Sequence, residues 1–352
     1  MRSFVYDQLP SRVAFGVGSF DGIAGELEKL GLKRAMVLST PGQRRLADEA
    51  AKRLGVATGG IYAEAVMHVP VETARAARET ARRLAADCTV AVGGGSTIGL
   101  AKAVALDTGL PIIAVPTTYS GSEMTPIYGL TENGLKRTGR DRKVLPRVVI
   151  YDPRLTVDLP AKVSGPSGMN ALAHCVEALY ARDANPITSL MAAEGIHALA
   201  RALPVVVTAP QDLEARGDAL YGAWLAGAAL GQVTMGIHHK LCHTLGGTFN
   251  LPHAEVHTVI LPHATAYNRA AVPEAMRVVA QGLGAEDAAQ GLYDLATAVG
   301  APVSLREIGM PEDGIERAAR LATENPYYNP RPVDYAGVLQ LLTDAYYGRR
   351  PS

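Results

Sequence analysis

Thr89-Val-Ala-Val-Gly-Gly-Gly-Ser-Thr97 is the stretch on which the fold turns. Thr89–Val92 reads as a short buried strand, Gly93–Gly95 interrupt it, and Ser96 opens a helix running to about Asp107. Glycine tolerates positive φ and lets a backbone lie close to a ligand. The N–H groups and positive dipole end of the helix that follows favour a phosphate.

The same alternation continues on both sides. Upstream, Ala35–Ser39 is a short strand and 43–55 a helix; Gly59-Gly60 leads into a strand near Ile61–Ala65, and an Ala- and Arg-rich helix covers 71–86. Downstream, Pro111–Val115 and Val148–Tyr151 are further strands. Strands alternating with helices predict a parallel sheet covered on both faces. Residues 1–15 alternate around Pro10, with Phe4, Tyr6, Val13 and Phe15 apolar, which predicts a pair of edge strands. Residues 127–144 read as a hairpin turning at Asn133-Gly134. Its Lys136, Arg137, Arg140, Arg142 and Lys143 make either a solvated hairpin or an electropositive lip.

Past residue 160 the periodicity becomes helical, over 167–183, 186–202, 211–232, 236–245, 255–270, 272–283, 286–299, 312–323 and 333–346. The expected architecture is an α/β, Rossmann-like, dinucleotide-binding domain over 1–160 and an all-α catalytic domain over 161–352. The joint falls near Pro160, and a cleft is expected between the sheet's carboxyl edge and the helices.

The 352 residues suit two domains with a core each. Lys+Arg and Asp+Glu both number 34, and this balance argues against nucleic acid or an anionic membrane as partner. Cys88, Cys175 and Cys242 lack metal-ligand spacing and read as reduced thiols of a cytosolic protein. MRSFVYDQLPSRV lacks the apolar run of a signal peptide, and no membrane span is expected.

Pro116-Thr-Thr-Tyr-Ser-Gly-Ser-Glu123 follows the strand next to the glycine turn. With Gly93, Gly94, Gly95 and Ser96, its Thr117, Thr118 and Ser120 form a second strand end able to line a dinucleotide. The strand at 35–39 ends in Ser39-Thr40-Pro41 without the carboxylate that holds the ribose of NAD, and Arg44-Arg45 lie close. Thr40 is therefore placed at the cofactor, and NADPH is expected to serve along with NADH.

Gly236–His263, GIHHKLCHTLGGTFNLPHAEVHTVILPH, carries His238, His239, His243, His253, His257 and His263 of nine histidines in all. His239 and His243 stand four apart, on one helix face; Gly246-Gly247 are expected to stop that helix and return His253 to the same place. Asn170 and His174, in GMNALAHCVEAL, are a second such pair. Together these predict a pocket of imidazoles. His257 and His263 read as capping or packing residues, with His257 a candidate support for the pocket. His68 and His197 read as structural.

Gly93-Gly-Gly-Ser-Thr-Ile-Gly-Leu-Ala-Lys102, the PTTxxxGSE segment, GxxAxxHxxEA over Gly168–Ala178 and the paired histidines resemble the iron-containing (group III) alcohol dehydrogenase family, which is itself similar to dehydroquinate synthase. The resemblance runs from Phe15-Gly16 to Asn325–Arg331. Metal-dependent members hold their ion with an aspartate and three histidines, which fall here on Asn170, His174, His239 and His253. Asn170 departs from that pattern, and an amide binds a divalent ion more weakly than a carboxylate. Gly99 stands where the family's acid follows GGGS, while Lys102 is kept. Both departures resemble the subgroup that reduces the carbon–carbon double bond of 2-maleylacetate, giving 3-oxoadipate in aromatic and chloroaromatic breakdown. The resemblance implies a cytoplasmic homodimer acting on a small dicarboxylate with NADH or NADPH and no metal.

Such a substrate conjugates its double bond to a ketone, so hydride addition leaves an enolate that imidazoles can stabilise without a Lewis acid. A protonated histidine is also expected to attract the substrate's carboxylates. His243 is the expected proton donor or enolate partner, and His174, His239, His253 and Asn170 are expected to bind substrate oxygens. His238 is either a carboxylate partner or a surface residue, and Lys240 a carboxylate partner or a solvated charge. Lys162 matches a family lysine near the cofactor or is a surface charge, and Tyr327 and Tyr328 are substrate candidates on the Asn325–Arg331 loop. The rival readings are a metal-dependent alcohol or polyol dehydrogenase, a dehydroquinate synthase-like lyase and a non-catalytic nucleotide-binding protein.

Overall fold

The computed structural model describes Phe4, Tyr6, Leu9, residues 11–132 and residues 135–352, apart from the side chains of Leu135 and Lys136. It forms two compact units, Gln8–Asp158 and Leu159–Ser352, the second joined by Phe4 and Tyr6.

The first unit is a six-stranded parallel sheet built from β1 (Arg12–Phe15), β2 (Ala35–Leu38), β3 (Thr58–Tyr62), β4 (Cys88–Gly93), β5 (Ile112–Pro116) and β8 (Val148–Tyr151). Its order is β1-β8-β5-β4-β2-β3. The four inner strands are buried along their whole length, as both-faced cover by helices requires. The helices are α1 (Ile23–Lys29), α2 (Arg44–Leu54), α3 (Val71–Arg83) and α4 (Gly95–Thr108). α2 and α3 bury alanines three and four apart, Ala47 with Ala50 and Ala74 with Ala77 and Ala81, and turn their charges outward. β6 (Ile127–Glu132) and β7 (Leu135–Arg140) pair antiparallel in the expected hairpin; its Asn133-Gly134 turn lies outside the described residues.

Two sequence expectations change here. Of the two N-terminal strands, Arg12–Phe15 alone is seen among the described residues, paired parallel to β8. Tyr6 instead accepts a hydrogen bond from Gln232 Nε2 at 3.2 Å in the helical unit. Alternation alone cannot tell which unit a residue such as Tyr6 packs against.

Chain progression reverses between β2 and β4: β3 adds on one side of β2, whereas β4, β5 and β8 add on the other. Ligands of doubly wound sheets sit at the carboxyl ends of strands at such a reversal. Here those ends carry Ser39-Thr40 and Gly93–Gly95.

The second unit is helical: α5 (Ala161–Tyr180), α6 (Pro186–Thr208), α7 (Leu213–Gln232), α8 (Ile237–Phe249), α9 (His253–Asn268), α10 (Pro273–Leu283), α11 (Ala288–Ala298), α12 (Gly314–Glu324) and α13 (Tyr335–Tyr347). α6 is long and apolar enough to cross a membrane by composition, yet it packs against α5, α7 and α10 as a core helix. α8 does not stop at Gly246-Gly247. It runs on to Phe249 and ends where Asn250 takes the left-handed conformation (φ 52°, ψ 35°), ahead of Pro252. A glycine pair lowers helix propensity but does not forbid helix when neighbouring residues pack, as Leu245 does in the core formed with α9 and α12.

Candidate active site

The glycine turn is shaped by close approach. Gly93 has φ 157°, its carbonyl accepts the Thr117 N–H at 3.2 Å, and Gly94 caps α4 with no side-chain cap of its own. A Cβ at Gly94 would lie 2.8 Å from Thr118 Cγ2. The first-turn N–H groups of α4 thus face a bare cradle, the arrangement that suits a phosphate. Gln43, which the sequence reading passed over, spans the strand ends: its Nε2 donates to Thr117 Oγ1 at 2.8 Å. Thr40 N-caps the short helix that carries Gln43. The loop bearing Thr117, Thr118 and Ser120 is pinned by Lys102, whose buried ammonium donates to the carbonyls of Ser122 (2.6 Å), Thr125 (2.8 Å) and Ile127 (2.7 Å). Buried Glu123 accepts from Tyr151 Oη at 2.9 Å and Ser120 Oγ at 3.3 Å. These residues fit a dinucleotide's phosphates. Lys162 is an exposed residue in the first turn of α5.

In the helical unit three helices each present a stripe at helical spacing. α5 offers Asn170, His174 and Glu177; α8 offers His239 and His243, with His238 and Cys242 beside them; α9 offers His253 and His257. Ring centroids lie 5.2 Å apart for His174–His239, 4.9 Å for His239–His257, 4.8 Å for His238–His257 and 4.2 Å for His253–His257. The centre is His257, fully buried, with neither ring nitrogen hydrogen-bonded. The sequence reading gave it a packing or supporting place. Its four-residue spacing from His253 was the signal that could have promoted it.

Glu177 is the second residue the reading missed, although it stands in the HxxEA motif one turn beyond His174. Its Oε2 lies 2.6 Å from His239 Nδ1 and accepts the Gly236 N–H at 3.0 Å, while Oε1 accepts the His238 N–H at 2.9 Å. These partners assign the protons: His239 carries its hydrogen on Nδ1 and keeps a lone pair on Nε2. His238 Nε2 donates to the His257 carbonyl at 2.9 Å, and its Nδ1 lies 3.3 Å from His239 Nδ1. His238 is therefore neither a surface residue nor open to a substrate carboxylate, because it is fully buried with both nitrogens engaged.

Burial holds His174, His239 and His257 well below the usual histidine range, and neighbouring histidines, His243 for His239 and His253 first for His257, add to the effect. Burial likewise takes His238 down to about 4. The buried rings are thus neutral at neutral pH, and the attraction for carboxylates expected of protonated imidazoles does not come from them. Burial pushes the Glu177 carboxyl up, opposed by His238 and by the backbone N–H donors.

His243 is exposed, one turn from His239 with ring centroids 6.1 Å apart, and its Nδ1 meets Tyr327 Oη at 3.1 Å. Lys240 Nζ lies 5.8 Å from the Tyr327 ring centroid, and Tyr328 is exposed on the same loop. Asn329 holds that loop: its Nδ2 donates to Asn268 Oδ1 at 2.6 Å, and its Oδ1 accepts from Asn268 Nδ2 at 2.9 Å.

Two of the four positions matched to the metal-dependent members depart from a buried ligand set. Asn170, buried with its Oδ1 unbonded, offers a neutral amide, and His253 is exposed. Donor atoms of His174, His239 and His257 do lie within 4.8 Å of one another, but this nitrogen-only trio has no anionic ligand of its own.

Comparison with known proteins agrees with this architecture. Residues 10–153 match the iron-containing alcohol dehydrogenase model, and residues 165–346 match the model for the C-terminal part of the Fe-containing alcohol dehydrogenase family. The chain is 59% identical over 348 residues to maleylacetate reductase of Sphingobium indicum, covering 99% of both chains. It is 57% identical over 352 residues to the Burkholderia cepacia maleylacetate reductase, covering 100% of each. The crystal structure of maleylacetate reductase from a Rhizobium species superposes with a TM-score of 0.96 at 53% identity, covering 100% of both chains. On this full-length agreement of sequence and fold, the chain belongs to the iron-containing alcohol dehydrogenase family.

Proposed function

We propose that the chain reduces the carbon–carbon double bond of 2-maleylacetate, giving 3-oxoadipate, with NADH or NADPH, as a homodimer and without a metal. The observation that carries the reading is the buried imidazole cluster with Asn170, and no carboxylate, at its acidic position. The names borne by its full-length relatives support it.

Gly93, Gly94, Gly95, Ser96, Thr117, Thr118, Ser120 and Thr40 are the proposed cofactor contacts, and Lys162 is retained as a candidate. Bound nicotinamide supplies the hydride. Negative charge then gathers on the substrate's ketone oxygen, where Asn170 donates an amide N–H that an aspartate lacks. His174, His239, His257 and His253 shape the pocket around that oxygen. Protonated His243 delivers the proton to carbon from Nε2 while its Nδ1–H donates to Tyr327 Oη, and the ring is left neutral, to be reprotonated from solvent. Lys240 takes over the carboxylate role withdrawn from His238, and Tyr328 lines the same side.

The test is to mix the purified chain, NADH and 2-maleylacetate, follow nicotinamide absorbance, and identify 3-oxoadipate, with and without EDTA. Turnover undiminished by EDTA is expected. A second reading, a metal-dependent alcohol dehydrogenase, draws on the His174–His239–His257 trio. Activity on simple alcohols, abolished by EDTA and restored by a divalent ion, selects it.

A further inference from the structure

We infer that Glu177 is the positioning residue of the histidine cluster, fixing His239 with its proton on Nδ1 and its Nε2 lone pair free. Three observations carry this. Glu177 is fully buried, and its two oxygens take up backbone N–H groups at the start of α8 as well as the His239 ring. α8 has no side-chain cap from its own N-terminal residue, Gly236. A carboxylate from α5 therefore caps α8 from outside, complements its dipole and orients the His239 ring of its first turn in one contact.

The fit is tight: a Cβ on Gly236 would lie 2.9 Å from Glu177 Oε1 and 3.2 Å from the Tyr328 carbonyl, so any side chain there displaces the carboxylate. On the far side of the ring, His239 Nε2 is buried without a hydrogen-bond partner. A neutral imidazole saturated at one nitrogen and bare at the other is built to accept a hydrogen bond at Nε2. Ligand imidazoles oriented by an outer carboxylate follow the same logic. A neutral glutamine cannot replace it, because both oxygens already accept from N–H donors and an NH2 group would meet one of those donors head-on.

The first arm of the test needs no substrate. In the 15N spectrum of the histidine-labelled chain at neutral pH, with the His239 signal identified by its loss in His239→Ala, Nδ1 is expected to be protonated and Nε2 bare. A proton on Nε2 overturns the inference, whatever the chain reduces. The second arm is kinetic and rests on the proposed function. Glu177→Gln is expected to lower kcat on the order of ten- to a hundredfold, leave the KM for NADH unchanged, and shift the His239 tautomer. In a His239→Ala background the same change is expected to cost much less, because the part of the loss that runs through the His239 ring is already gone. An equal loss in both backgrounds shows a general structural role and overturns the inference. If Glu177→Gln does not fold, Gly236→Ala, which crowds the carboxylate without removing it, takes its place: an unmoved His239 spectrum with full kcat counts against the inference. Failure to oxidise NADH with 2-maleylacetate removes the proposed function but leaves the tautomer result standing.

Discussion

Tyr327 Oη lies 3.1 Å from His243 Nδ1, and the two rings meet edge-on with centroids 6.1 Å apart. This contact ties a residue of the Asn325–Arg331 loop to the second turn of α8. It orients an imidazole that is exposed, unlike its buried neighbours one turn away.

His243→Ala is accordingly expected to lower turnover roughly a hundredfold, the lower end for a lost general acid. The KM for NADH stays the same, because the nucleotide contacts lie on other residues. Tyr327→Phe costs less, since water can replace the hydroxyl at Nδ1. Steady-state kinetics on both variants check this, and unchanged turnover in His243→Ala removes His243 from the proton-transfer step.

The buried histidines make stability fall in acid. Burial lowers His263 to about 4 from its ordinary 6.5, with Asp344 opposing, and lowers His238 to about 4 as well. The unfolded chain binds protons at these positions below about pH 6.5, whereas the folded chain resists until about pH 4. Stability contributed by each neutral ring is therefore present above 6.5 and is lost as pH falls through that window. For His263 alone the loss approaches roughly 3 kcal/mol at pH 4. Urea midpoints measured from pH 7 to pH 4 are expected to fall steeply, and less so in His263→Gln. A flat profile argues that the rings are hydrated.

Lys102 tests how the nucleotide loop is held. Its ammonium donates to three backbone carbonyls between Ser122 and Ile127. Lys102→Met keeps the aliphatic stem but strands those acceptors in the interior, at about 1–3 kcal/mol for each group left unsatisfied. A lowered melting temperature and a raised KM for NADH are expected together. A variant as stable as the parent shows that water can enter and take the ammonium's place.

Much of this was legible in the sequence, for reasons particular residues show. Buried strands such as Val148–Tyr151 and helices with alanine stripes announce themselves by period, and Gly93–Gly95 mark the strand-to-helix turn. His239 and His243 declare a shared face through their spacing. What could not be read depends on partners distant in sequence. His238 looks free until the His257 carbonyl is placed 2.9 Å from it. Glu177 looks like an ordinary helix carboxylate until α8 begins on it. Gly246-Gly247 looked like a stop because local propensity is all a sequence displays, and the packing around Leu245 overrides it.

Cofactor choice turns on the end of β2. No carboxylate follows Leu38 before Pro41, so a 2′-phosphate meets no repulsion from this turn. The two arginines beyond it are less available than the sequence implied: Arg44 pairs with Asp48 at 2.9 Å and Arg45 with Glu49 at 2.6 Å. Both pairs are exposed or half-exposed, so each holds its arginine weakly and a phosphate can compete for it. NADPH is expected to support turnover alongside NADH. Asp48→Asn, by freeing Arg44, is expected to lower the KM for NADPH up to about fivefold, the upper end for an exposed ion pair, and to leave that for NADH unchanged. Parallel kinetics with the two nucleotides decide it; activity confined to NADH in both the parent and Asp48→Asn means that the turn after β2 is not where the 2′-position is read.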